Sequence, residues 1–446
     1  MANRTDTVGS ESPRTGERAP EWALAVALDC AELRAPPARL ALARVTEAEI
    51  GRGGERGFPR SGTRLRIDLS DRSASQLHAR LARAGDDWSL EDAGSKNGTR
   101  VNGRRVDRAA LADGDIIECG GTFLVLRRAS GPIRDLYAPS ASTKALQTIS
   151  PTLERELAVL PKIARSRVPV LVRGDSGTGK EVVSSAIHAL SGRSGPFVPV
   201  NCGAIPPTLV ESELFGSRRG AFSGAEDRAG LVPSAERGTL FLDEIAELPA
   251  TSQAALLRVL QDGEVQPLGA GKRVLVDVRV VAATNRPVEE LVADGRFRRD
   301  LYARLRGYEV RLPSLRARLE DLGLLCAHLL ARLEPDRPAR RLSRAAARAL
   351  FLHPWPFHVR ELEQVLRAAI AISSDAEIGV EHLRLGAYEA KESAAASGSE
   401  RERLLALLEK HGGNLSAIAR ELETSRSQVS RLLARHSLSP DRYKRR

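Results

Sequence analysis

The chain has 446 residues, and at about 100–200 residues per domain this length predicts two to four domains. Hydrophobic residues make up 42% of it and charged residues 28%, which excludes a wholly disordered chain. No apolar run reaches the roughly 18–20 residues of a membrane helix, and residues 1–20 lack the apolar stretch of a signal peptide. We therefore expect a cytoplasmic protein with no membrane partner.

Net charge and cysteine spacing narrow the classes of partner further. Subtracting 57 acidic from 68 basic residues leaves +11, which permits an anionic partner such as nucleic acid. The four cysteines lie more than eighty positions apart, so no pair has zinc-ligand spacing and we expect buried, reduced thiols. They are Cys30, Cys119, Cys202 and Cys326.

The N-terminal part of the chain predicts a β-sandwich. Residues 1–20 are polar and rich in Gly, Ser and Pro, as in a flexible tail. From 22 to 128, short alternating apolar runs are broken by Gly, Asp and Asn, which is typical of an all-β sandwich. Residues 129–146 are predicted to be a linker. Strands are expected at 64–70, 88–93, 99–106 and 123–128.

The rest of the chain predicts an α/β domain and then a small helical one. The domain is expected at 147–386. From about 147 to 318, β-type runs such as VPVLVR and TLFLDE alternate with helical stretches, which indicates a parallel, doubly wound sheet. Within this domain, residues from about 319 to 386 have Leu and Ala at helical spacing and are predicted to be helical throughout. A second linker is expected at 387–400, and a compact all-α unit at 401–446.

A glycine-rich segment predicts a phosphate-binding loop. The segment VLVRGDSGTGKE places Gly174-x-x-x-x-Gly179-Lys180 after a predicted strand and before a predicted helix. Glycines let backbone N–H groups face phosphate, and the lysine reaches the β- and γ-phosphates. A purely structural turn is the alternative. The candidate nucleotide-binding residues are Gly174, Asp175, Ser176, Gly177, Thr178, Gly179, Lys180 and Glu181, the last of which stands where Ser or Thr usually ligates magnesium.

Two acids at the end of an apolar strand predict hydrolysis of the bound nucleotide. The run TLFLDE ends in Asp243 and Glu244. Asp243 is placed to hold magnesium, directly or through water, and Glu244 to polarise an attacking water. Two solvated acids at a strand end are the alternative, but the phosphate loop upstream favours an ATPase that uses ATP and magnesium.

Between the phosphate loop and the two acids, residues 211–225 read ESELFGSRRGAFSGA. With this segment as the marker, residues from about 147 to 386 resemble the AAA+ P-loop ATPase domain, with its helical lid, of the sigma-54-dependent bacterial transcription activators, the enhancer-binding proteins. The resemblance implies that the loop in this segment contacts sigma-54, although the family usually has threonine where this chain has Ser223; a buried-Phe turn is the alternative. The loop residues are Gly220, Ala221, Phe222, Ser223, Gly224 and Ala225.

The same resemblance implies roles for six further residues. Asn201 matches the asparagine that hydrogen-bonds the catalytic glutamate, here Glu244. Thr284 and Asn285 match the first nucleotide-sensing position, and Arg360 matches the second, although Phe357-His358 stands where the family usually has Gly-Asn. Arg298 and Arg304 match two arginines presented to the γ-phosphate of the neighbouring subunit; solvated surface arginines are the alternative.

The C-terminal segment is predicted to bind DNA. Asn414 is placed to cap one helix, and Ser425-Arg-Ser-Gln428 has the capping-box pattern of a second. Val429, Leu432, Leu433 and His436 share the core face of that second helix. The segment resembles the Fis-type helix-turn-helix that closes this family, with a small interaction bundle as the alternative. The candidate DNA contacts are Arg426, Ser427, Gln428, Arg431 and Arg435.

The N-terminal segment holds three short motifs: Gly51-Arg52, Ser75-x-x-His78 and the run with Asn97-Gly98. On these motifs the segment resembles a forkhead-associated (FHA) domain, a sandwich that binds phosphothreonine peptides on its loops. Arg52 is suited to pair with phosphate, Ser75 to donate its hydroxyl and Asn97 to hold the peptide backbone. The resemblance implies that His78 stabilises the loops. A purely structural sandwich, with Asn97-Gly98 as a hairpin turn, is the alternative.

Together these expectations describe an ATP-dependent transcription activator. DNA-bound dimers assemble into a ring, expected to be hexameric, hydrolyse ATP and remodel sigma-54 RNA polymerase holoenzyme from upstream enhancer DNA into an open complex. A phosphothreonine-containing protein downstream of a Ser/Thr kinase, or the kinase itself, gates this activity through the FHA domain. The alternative is a DNA-binding AAA+ repressor or scaffold that does not act through sigma-54.

Overall fold

The computed structural model describes residues 20–138, 143–221, 226–386, 404–405, 407–422, 426, 429–430, 433 and 438. The chain divides into two compact units, Met1–Leu383 and Arg384–Arg446. Within the described ranges, no helix has both the length and the apolar character needed to cross a bilayer. All four cysteines are buried and free, as expected.

The first part of the larger unit is a sandwich of two six-stranded sheets. Apolar side chains alternate into its core, where Trp88 is only 1% exposed. The predicted strand at 99–106 is wrong as a single element, because positive φ angles at Asn102 (50°) and Gly103 (76°) turn it into a two-residue hairpin. The other three predicted strands are confirmed. In chain order the strands are β1 (Glu21–Asp29), β2 (Ala38–Ala41), β3 (Glu47–Arg52), β4 (Arg60–Ser61), β5 (Arg64–Leu69), β6 (Ala79–Ala84), β7 (Asp87–Asp92), β8 (Thr99–Val101), β9 (Arg104–Val106), β10 (Arg108–Leu111), β11 (Ile116–Cys119) and β12 (Thr122–Ala129).

The two sheets have the orders β2-β1-β12-β11-β8-β9 and β10-β7-β6-β3-β5-β4. All pairs in them are antiparallel except β3 and β5. The first residues after β12 still pack on the sandwich, since Leu136 and Arg39 exchange two backbone hydrogen bonds of 2.7 and 2.8 Å. This part of the segment predicted to be a linker is therefore structured.

The second part of the larger unit is the expected α/β domain. Its five strands β14-β17-β20-β13-β21 are all parallel, so their carboxyl ends meet along one edge. The strands of this part are β13 (Val170–Arg173), β14 (Phe197–Asn201), β15 (Gly216–Ser217), β16 (Arg228–Ala229), β17 (Thr239–Asp243), β18 (Glu264–Val265), β19 (Val274–Leu275), β20 (Arg279–Thr284) and β21 (Tyr308–Arg311). The helices are α1 (Pro151–Ala158), α2 (Leu160–Ala164), α3 (Lys180–Ser191), α4 (Val210–Phe215), α5 (Leu231–Ser234), α6 (Ala250–Asp262), α7 (Val288–Ala293) and α8 (Arg299–Leu305).

The lid that follows is mainly helical, but the prediction that it is helical throughout is wrong. Its elements are α9 (Leu322–Leu333), β22 (Arg341–Leu342), α10 (Arg344–Leu352), α11 (His358–Ile372) and β23 (Glu377–Ile378). The strands β22 and β23 form a parallel pair that ties the start of α10 to the end of the lid. Pairing over two residues is too short to alter the Leu and Ala periodicity, so the sequence did not reveal it.

The sandwich packs closely against the lid. The rings of Phe123 and Phe351 stack with centroids 4.9 Å apart. The backbone of α9 approaches β1 so closely that a Cβ on Gly323 would lie 2.1 Å from the carbonyl oxygen of Ala27. At the edge of this contact the Leu342 N–H donates to the Cys30 carbonyl over 3.0 Å. Only glycine at position 323 permits this approach.

Two arginines of the sandwich add polar contacts, one to the α/β domain and one to the turn that begins the lid. Arg39, 2% exposed, donates to the Ile149 carbonyl at 3.1 Å and to Glu154 at 2.6 Å. Nε of Arg127 lies 3.1 Å from the buried carboxylate of Glu320. Burial raises the pKa of Glu320, and the charge of Arg127 offsets part of this increase. Removing Arg39 would take a donor from the buried Ile149 carbonyl, and removing Arg127 would take the ion-pair partner from the buried Glu320 carboxylate.

The smaller unit contains the helix α12 (Leu415–Glu421). The Asn414 side chain accepts hydrogen bonds from Ser416 N and Ala417 N, so its predicted capping role is confirmed. Val429 and Leu433 are 0% and 1% exposed and pack with Leu408 and Ile418, which confirms their predicted core positions. Leu432 and His436 lie outside the described residues.

We expect Gly323→Ala to weaken the docking of the sandwich on α9, because overpacking of this kind costs about 1–3 kcal/mol. Differential scanning calorimetry of the whole chain should show a midpoint lower by about 2–10 °C. Gly54→Ala is the matched control, since a Cβ there meets nothing within 4 Å. Equal midpoints for the two variants would contradict this packing.

Candidate functional site

The phosphate loop lies between the end of β13 and the start of α3. Gly177 and Gly179 have φ angles of 88° and 106°, which a side chain would strain. Lys180 begins α3 and is 5% exposed; its Nζ donates to the Gly174 carbonyl at 3.1 Å. The same Nζ lies 3.6 Å from Oε1 of Glu244. The loop therefore holds a buried ammonium group beside Glu244, the residue that follows β17.

Asp243 and Glu244, the two acids at the end of β17, differ in backbone conformation and in their contacts. Asp243 is the last residue of β17, and its Oδ1 accepts from the Glu244 N–H at 3.0 Å. Glu244 adopts φ 51° and ψ 49°, a left-handed conformation that costs free energy for a residue with a side chain. This turn points the Glu244 carboxylate toward Lys180 and toward the Asn285 N–H, which lies 3.4 Å from Oε2.

Asn201 does not form the hydrogen bond to Glu244 that the resemblance implies. It ends β14 in register with Asp243, but its Oδ1 accepts from the Gly203 N–H at 3.0 Å and caps a short 3₁₀ turn. No hydrogen bond from the Asn201 amide to the Glu244 carboxylate occurs among the described residues. The expected contact is therefore missing from the described structure, and the role of Asn201 stays a prediction.

The two predicted sensor positions border the same site. Thr284 is buried at the end of β20. Its carbonyl oxygen accepts a hydrogen bond from the Gly174 N–H, with 3.3 Å between N and O. Asn285 follows it and contacts Glu244 through its backbone. On the lid side, Nη1 of Arg360 donates to Ser176 Oγ at 2.8 Å. The phosphate loop is thus contacted from both the sheet and the lid.

Phe357-His358, which stands where the family usually has Gly-Asn, still forms the turn at the start of α11. His358 takes the positive φ (53°) that the turn needs, and histidine tolerates this region better than most residues. Its Nε2 lies 3.3 Å from Oδ2 of Asp175. The Val359 and Arg360 N–H groups donate to the Gly177 carbonyl at 3.0 and 3.3 Å. Arg360 therefore keeps its place over the loop.

These elements enclose a cavity of about 600 Å³, a volume in the range of ligand pockets. Ser176, Gly177, Gly179, Lys180, Glu181, Asp243 and Arg360 line it. Loop N–H groups at a helix start, one lysine and one arginine suit the phosphates of ATP. Among the described residues no cluster of three metal-ligating side chains occurs. One carboxylate, Asp243, still fits nucleotide-bound Mg²⁺, which takes one or two carboxylates plus phosphate oxygens.

Arg298 and Arg304 lie away from this cavity. Arg298 precedes α8 and pairs with Asp300 through bonds of 3.0 and 2.7 Å, and Arg304 donates to the Leu260 carbonyl at 3.3 Å. Both side chains are exposed. Neither contacts the phosphate loop of its own chain in the described residues, which is compatible with a role toward a neighbouring subunit.

The predicted sigma-54 loop rises from a short hairpin. Strands β15 and β16 pair below it, and Gly220 and Ala221 begin it. Phe222, Ser223, Gly224 and Ala225 lie outside the described residues. The turn between β18 and β19 lies beside the base of the loop, since a Cβ on Gly269 would be 2.8 Å from Cβ of Ala221. The sequence analysis did not identify this second hairpin.

The three predicted phosphopeptide residues lie on adjoining loops at one end of the sandwich. The Arg52 N–H donates to the Ser75 carbonyl at 2.8 Å, and Ser75 Oγ accepts from the Lys96 N–H at 3.0 Å. Asn97 Nδ2 donates to the Ser73 carbonyl at 2.7 Å. The guanidinium of Arg52 and the amide of Asn97 are both exposed.

His78 holds two of these loops together from inside. It is 0% exposed; its Nδ1 accepts the Ser75 N–H at 3.1 Å, and its Nε2 lies 3.4 Å from the Gly98 carbonyl. Burial lowers the pKa of His78, which favours the neutral ring that this pairing requires. Its predicted structural role therefore agrees with the geometry.

The candidate DNA contacts are mostly beyond what the structure describes. Arg426 is helical and exposed. Ser427, Gln428, Arg431 and Arg435 lie outside the described residues.

Comparison with known proteins agrees with the order of these parts. Four family models match successive parts of the chain. They are the FHA domain over residues 49–120, the sigma-54 interaction domain over 146–311, the AAA+ ATPase lid domain over 316–400, and the Fis family of bacterial regulatory proteins over 399–436. The transcriptional regulatory protein GlrR of Escherichia coli (strain K12) is 42% identical over 311 residues, or 68% of this chain and 70% of that protein. The chain belongs to the sigma-54-dependent transcriptional activators.

Other activators and one solved structure show the same similarity. The response regulator protein PilR of Pseudomonas aeruginosa is 46% identical over 265 residues, covering 58% of this chain and 60% of that protein. The crystal structure of NtrX from Brucella abortus in complex with ADP aligns at a TM-score of 0.51 with 30% identity, covering 66% of this chain and 70% of that one. The expected family and fold class are therefore confirmed.

The sequence analysis of this activator missed Arg318. Its guanidinium, 8% exposed, donates to the Thr178 carbonyl of the phosphate loop at 2.8 Å. It comes from the 3₁₀ turn Arg316–Asp321, which has a kink at this residue. Two residues later the same turn carries Glu320, the partner of Arg127 in the sandwich. Nothing local marks Arg318 among the many arginines of the chain.

We expect Glu244→Gln in this activator to keep nucleotide binding and to lower ATP hydrolysis by about 10²–10⁴-fold, the usual contribution of a general base. Phosphate release and nucleotide affinity measured on the same protein separate the two effects. Glu247→Gln is the matched control, because this nearby acid is exposed and pairs with Arg286 outside the cavity. Hydrolysis by Glu244→Gln at the rate of the control would exclude Glu244 as the base.

Proposed function

We propose that this protein is an ATP-dependent activator that binds upstream enhancer DNA, assembles into a hexameric ring and remodels sigma-54 RNA polymerase into an open complex. The single observation that carries the proposal is the convergence of Lys180, Asp243 and Arg360 on one cavity, with the Glu244 carboxylate 3.6 Å from Lys180 Nζ, in a chain of this family. The proposed domains are those predicted from the sequence, and the proposed location is the cytoplasm.

In the proposed reaction each residue at the nucleotide site has its own role. ATP, when bound with Mg²⁺, supplies the γ-phosphoryl group that is transferred to water. Lys180 and the loop N–H groups hold the phosphates, and Asp243 orients the metal directly or through water. Glu244 takes the proton of the attacking water. Thr284, Asn285 and Arg360 sense the state of the site, because they link it to the sheet and to the lid.

Hydrolysis requires assembly in this proposal. Arg298 and Arg304 act on the γ-phosphate bound by the adjacent subunit, which accounts for their exposure away from their own phosphate loop. An arginine supplied across an interface is worth about 10³–10⁵ in the rate of phosphoryl transfer. A subunit alone therefore has an incomplete site.

Mixing two inactive variants tests this arrangement. Lys180→Ala lacks the phosphate lysine, and Arg298→Ala lacks the arginine; each alone should hydrolyse ATP at least about 100-fold more slowly than wild type. In a mixture, an intact cavity of the second variant meets an intact arginine of the first, and hydrolysis should recover in part. An additive, unrecovered rate at every mixing ratio would show that the arginine acts within its own subunit. Arg299→Ala mixed with Lys180→Ala is the control, since Arg299 is the adjacent position.

The loop that holds Phe222 is the proposed contact with sigma-54. We expect Phe222→Ala to spare ATP hydrolysis and to abolish open-complex formation, since the loop transmits the hydrolysis cycle to the polymerase. Promoter opening by sigma-54 polymerase with and without ATP is the measurement. Opening by the variant at the wild-type level would contradict the loop assignment. Hydrolysis without opening by the wild-type protein would support the repressor or scaffold instead.

Two further sites are proposed, one that binds the protein to DNA and one that controls its ATPase activity. The helix-turn-helix, through Arg426, Ser427, Gln428, Arg431 and Arg435, is proposed to bind enhancer DNA as a dimer. Arg52, Ser75 and Asn97 are proposed to bind a phosphothreonine-containing protein or a Ser/Thr kinase. The packing of the sandwich on the lid, through Phe123, Phe351 and Gly323, supports gating of the ATPase by that event.

A further inference from the structure

A cavity of about 390 Å³ lies between the phosphopeptide loops of the sandwich and helix α10 of the lid. Asn97, the residue proposed to hold the peptide backbone, is one of its walls. The remaining walls are Gly98, Arg100, Glu118 and Gly120 from the sandwich, and Arg344, Ala345 and Arg348 from the lid. A peptide held at Asn97 therefore has the lid within reach of its flanking residues.

The cavity carries an excess of positive charge. Three arginines and one glutamate line it, which leaves 3 − 1 = +2. A fourth arginine, Arg105, is close, because a Cβ on Gly98 would lie 2.6 Å from its Nε. A site of this charge favours carboxylates or phosphate, and a guanidinium can bind a carboxylate through two parallel hydrogen bonds.

The arginines in this cavity are not equivalent. Arg348 is bound to Glu118 through two hydrogen bonds of 2.7 and 2.6 Å, and Glu118 is 5% exposed. This pair fastens α10 to β11. Arg100 donates to the Gly103 carbonyl at 3.0 Å. Arg344 is exposed, and among the described residues its guanidinium has no hydrogen bond or ion pair, only an electrostatic interaction with Cys30. Its guanidinium is the group left for a ligand.

The two walls are fixed relative to each other before any ligand binds. The Phe123–Phe351 stack and the close contact at Gly323 hold the lid against the sandwich. Leu352, at the end of α10, also lies against the turn between β8 and β9, where a Cβ on Gly103 would be 2.8 Å from its Cδ1. A preformed site loses less free energy to ordering when the peptide binds.

We propose that the sandwich and the lid form one composite peptide site, in which Arg344 of the lid binds an acidic side chain that flanks the phosphothreonine. This inference rests on the proposed phosphothreonine recognition at Arg52, Ser75 and Asn97. The ligand is an extended phosphothreonine peptide with an aspartate or glutamate positioned beyond Asn97. The ATPase lid thereby takes a direct part in choosing the partner.

The test uses the full chain and synthetic, fluorescently labelled peptides. One pool has a fixed phosphothreonine and neutral flanking positions. Further pools place aspartate at single positions on either side, and a last pool has unphosphorylated threonine. Fluorescence anisotropy gives the affinity for each pool. We expect one aspartate position to strengthen wild-type binding by about tenfold, as one charge-assisted pair does.

Three variants test which arginine is responsible for the higher affinity of the aspartate pool. Arg344→Glu should lose the aspartate preference, that is, the affinity difference between the aspartate pool and the neutral pool, while still binding the neutral phosphothreonine pool. Arg341→Ala is the matched control, an exposed arginine three positions earlier that does not line the cavity, and it should keep both. Arg52→Ala should lose binding of every phosphothreonine pool.

Each outcome separates the inference from the function on which it rests. A wild-type protein that binds phosphothreonine pools without preferring aspartate at any position would overturn the composite site alone. Retention of the preference by Arg344→Glu would do the same. Full affinity of Arg52→Ala for the phosphothreonine pools, or no binding of any pool by wild type, would overturn the proposed phosphothreonine recognition itself.

Discussion

The structure depends on how the phosphate loop is held between the sheet and the lid. The loop must place its N–H groups toward the nucleotide, so its carbonyls point away and need partners. The Gly177 carbonyl receives two N–H groups from the start of α11, and the Thr178 carbonyl receives the Arg318 guanidinium. The lid thus satisfies the backbone that phosphate binding exposes. Any movement of the lid alters these bonds and, with them, the shape of the loop.

The same lid carries the sandwich. Glu320, which pairs with Arg127 of β12, lies two residues from Arg318 in the turn that contacts the phosphate loop. The helix α10, which borders the loops of Asn97 and Gly98, leads directly into the turn before Arg360. Two short paths through the lid therefore join the sandwich to the nucleotide cavity. Coupling between them requires only that the lid have two positions, each favoured by a different ligand.

Close backbone approaches recur where the parts of this protein meet. A side chain at Gly323 would strike β1, and one at Gly177 would meet the Phe357 carbonyl at 2.4 Å. In the sandwich, a side chain at Gly51 would meet the Gln76 carbonyl at 2.0 Å, next to the loop of Ser75. These glycines set the spacing between the elements that carry Arg52, Arg360 and the docked lid.

The sequence by itself determined the parts of this protein that local chemistry specifies. The phosphate loop needs glycine at left-handed positions, the cap needs the side chain of Asn414, and the strands and helices need their apolar periods, so each leaves a pattern in neighbouring residues. Tertiary structure alone decided the partners across distant segments. Asn201 bonds to Gly203 rather than to Glu244, Arg318 supports the loop, and Arg344 borders the sandwich. One arginine among many carries no local sign of its partner, because the contact exists only once two remote stretches of chain have packed together.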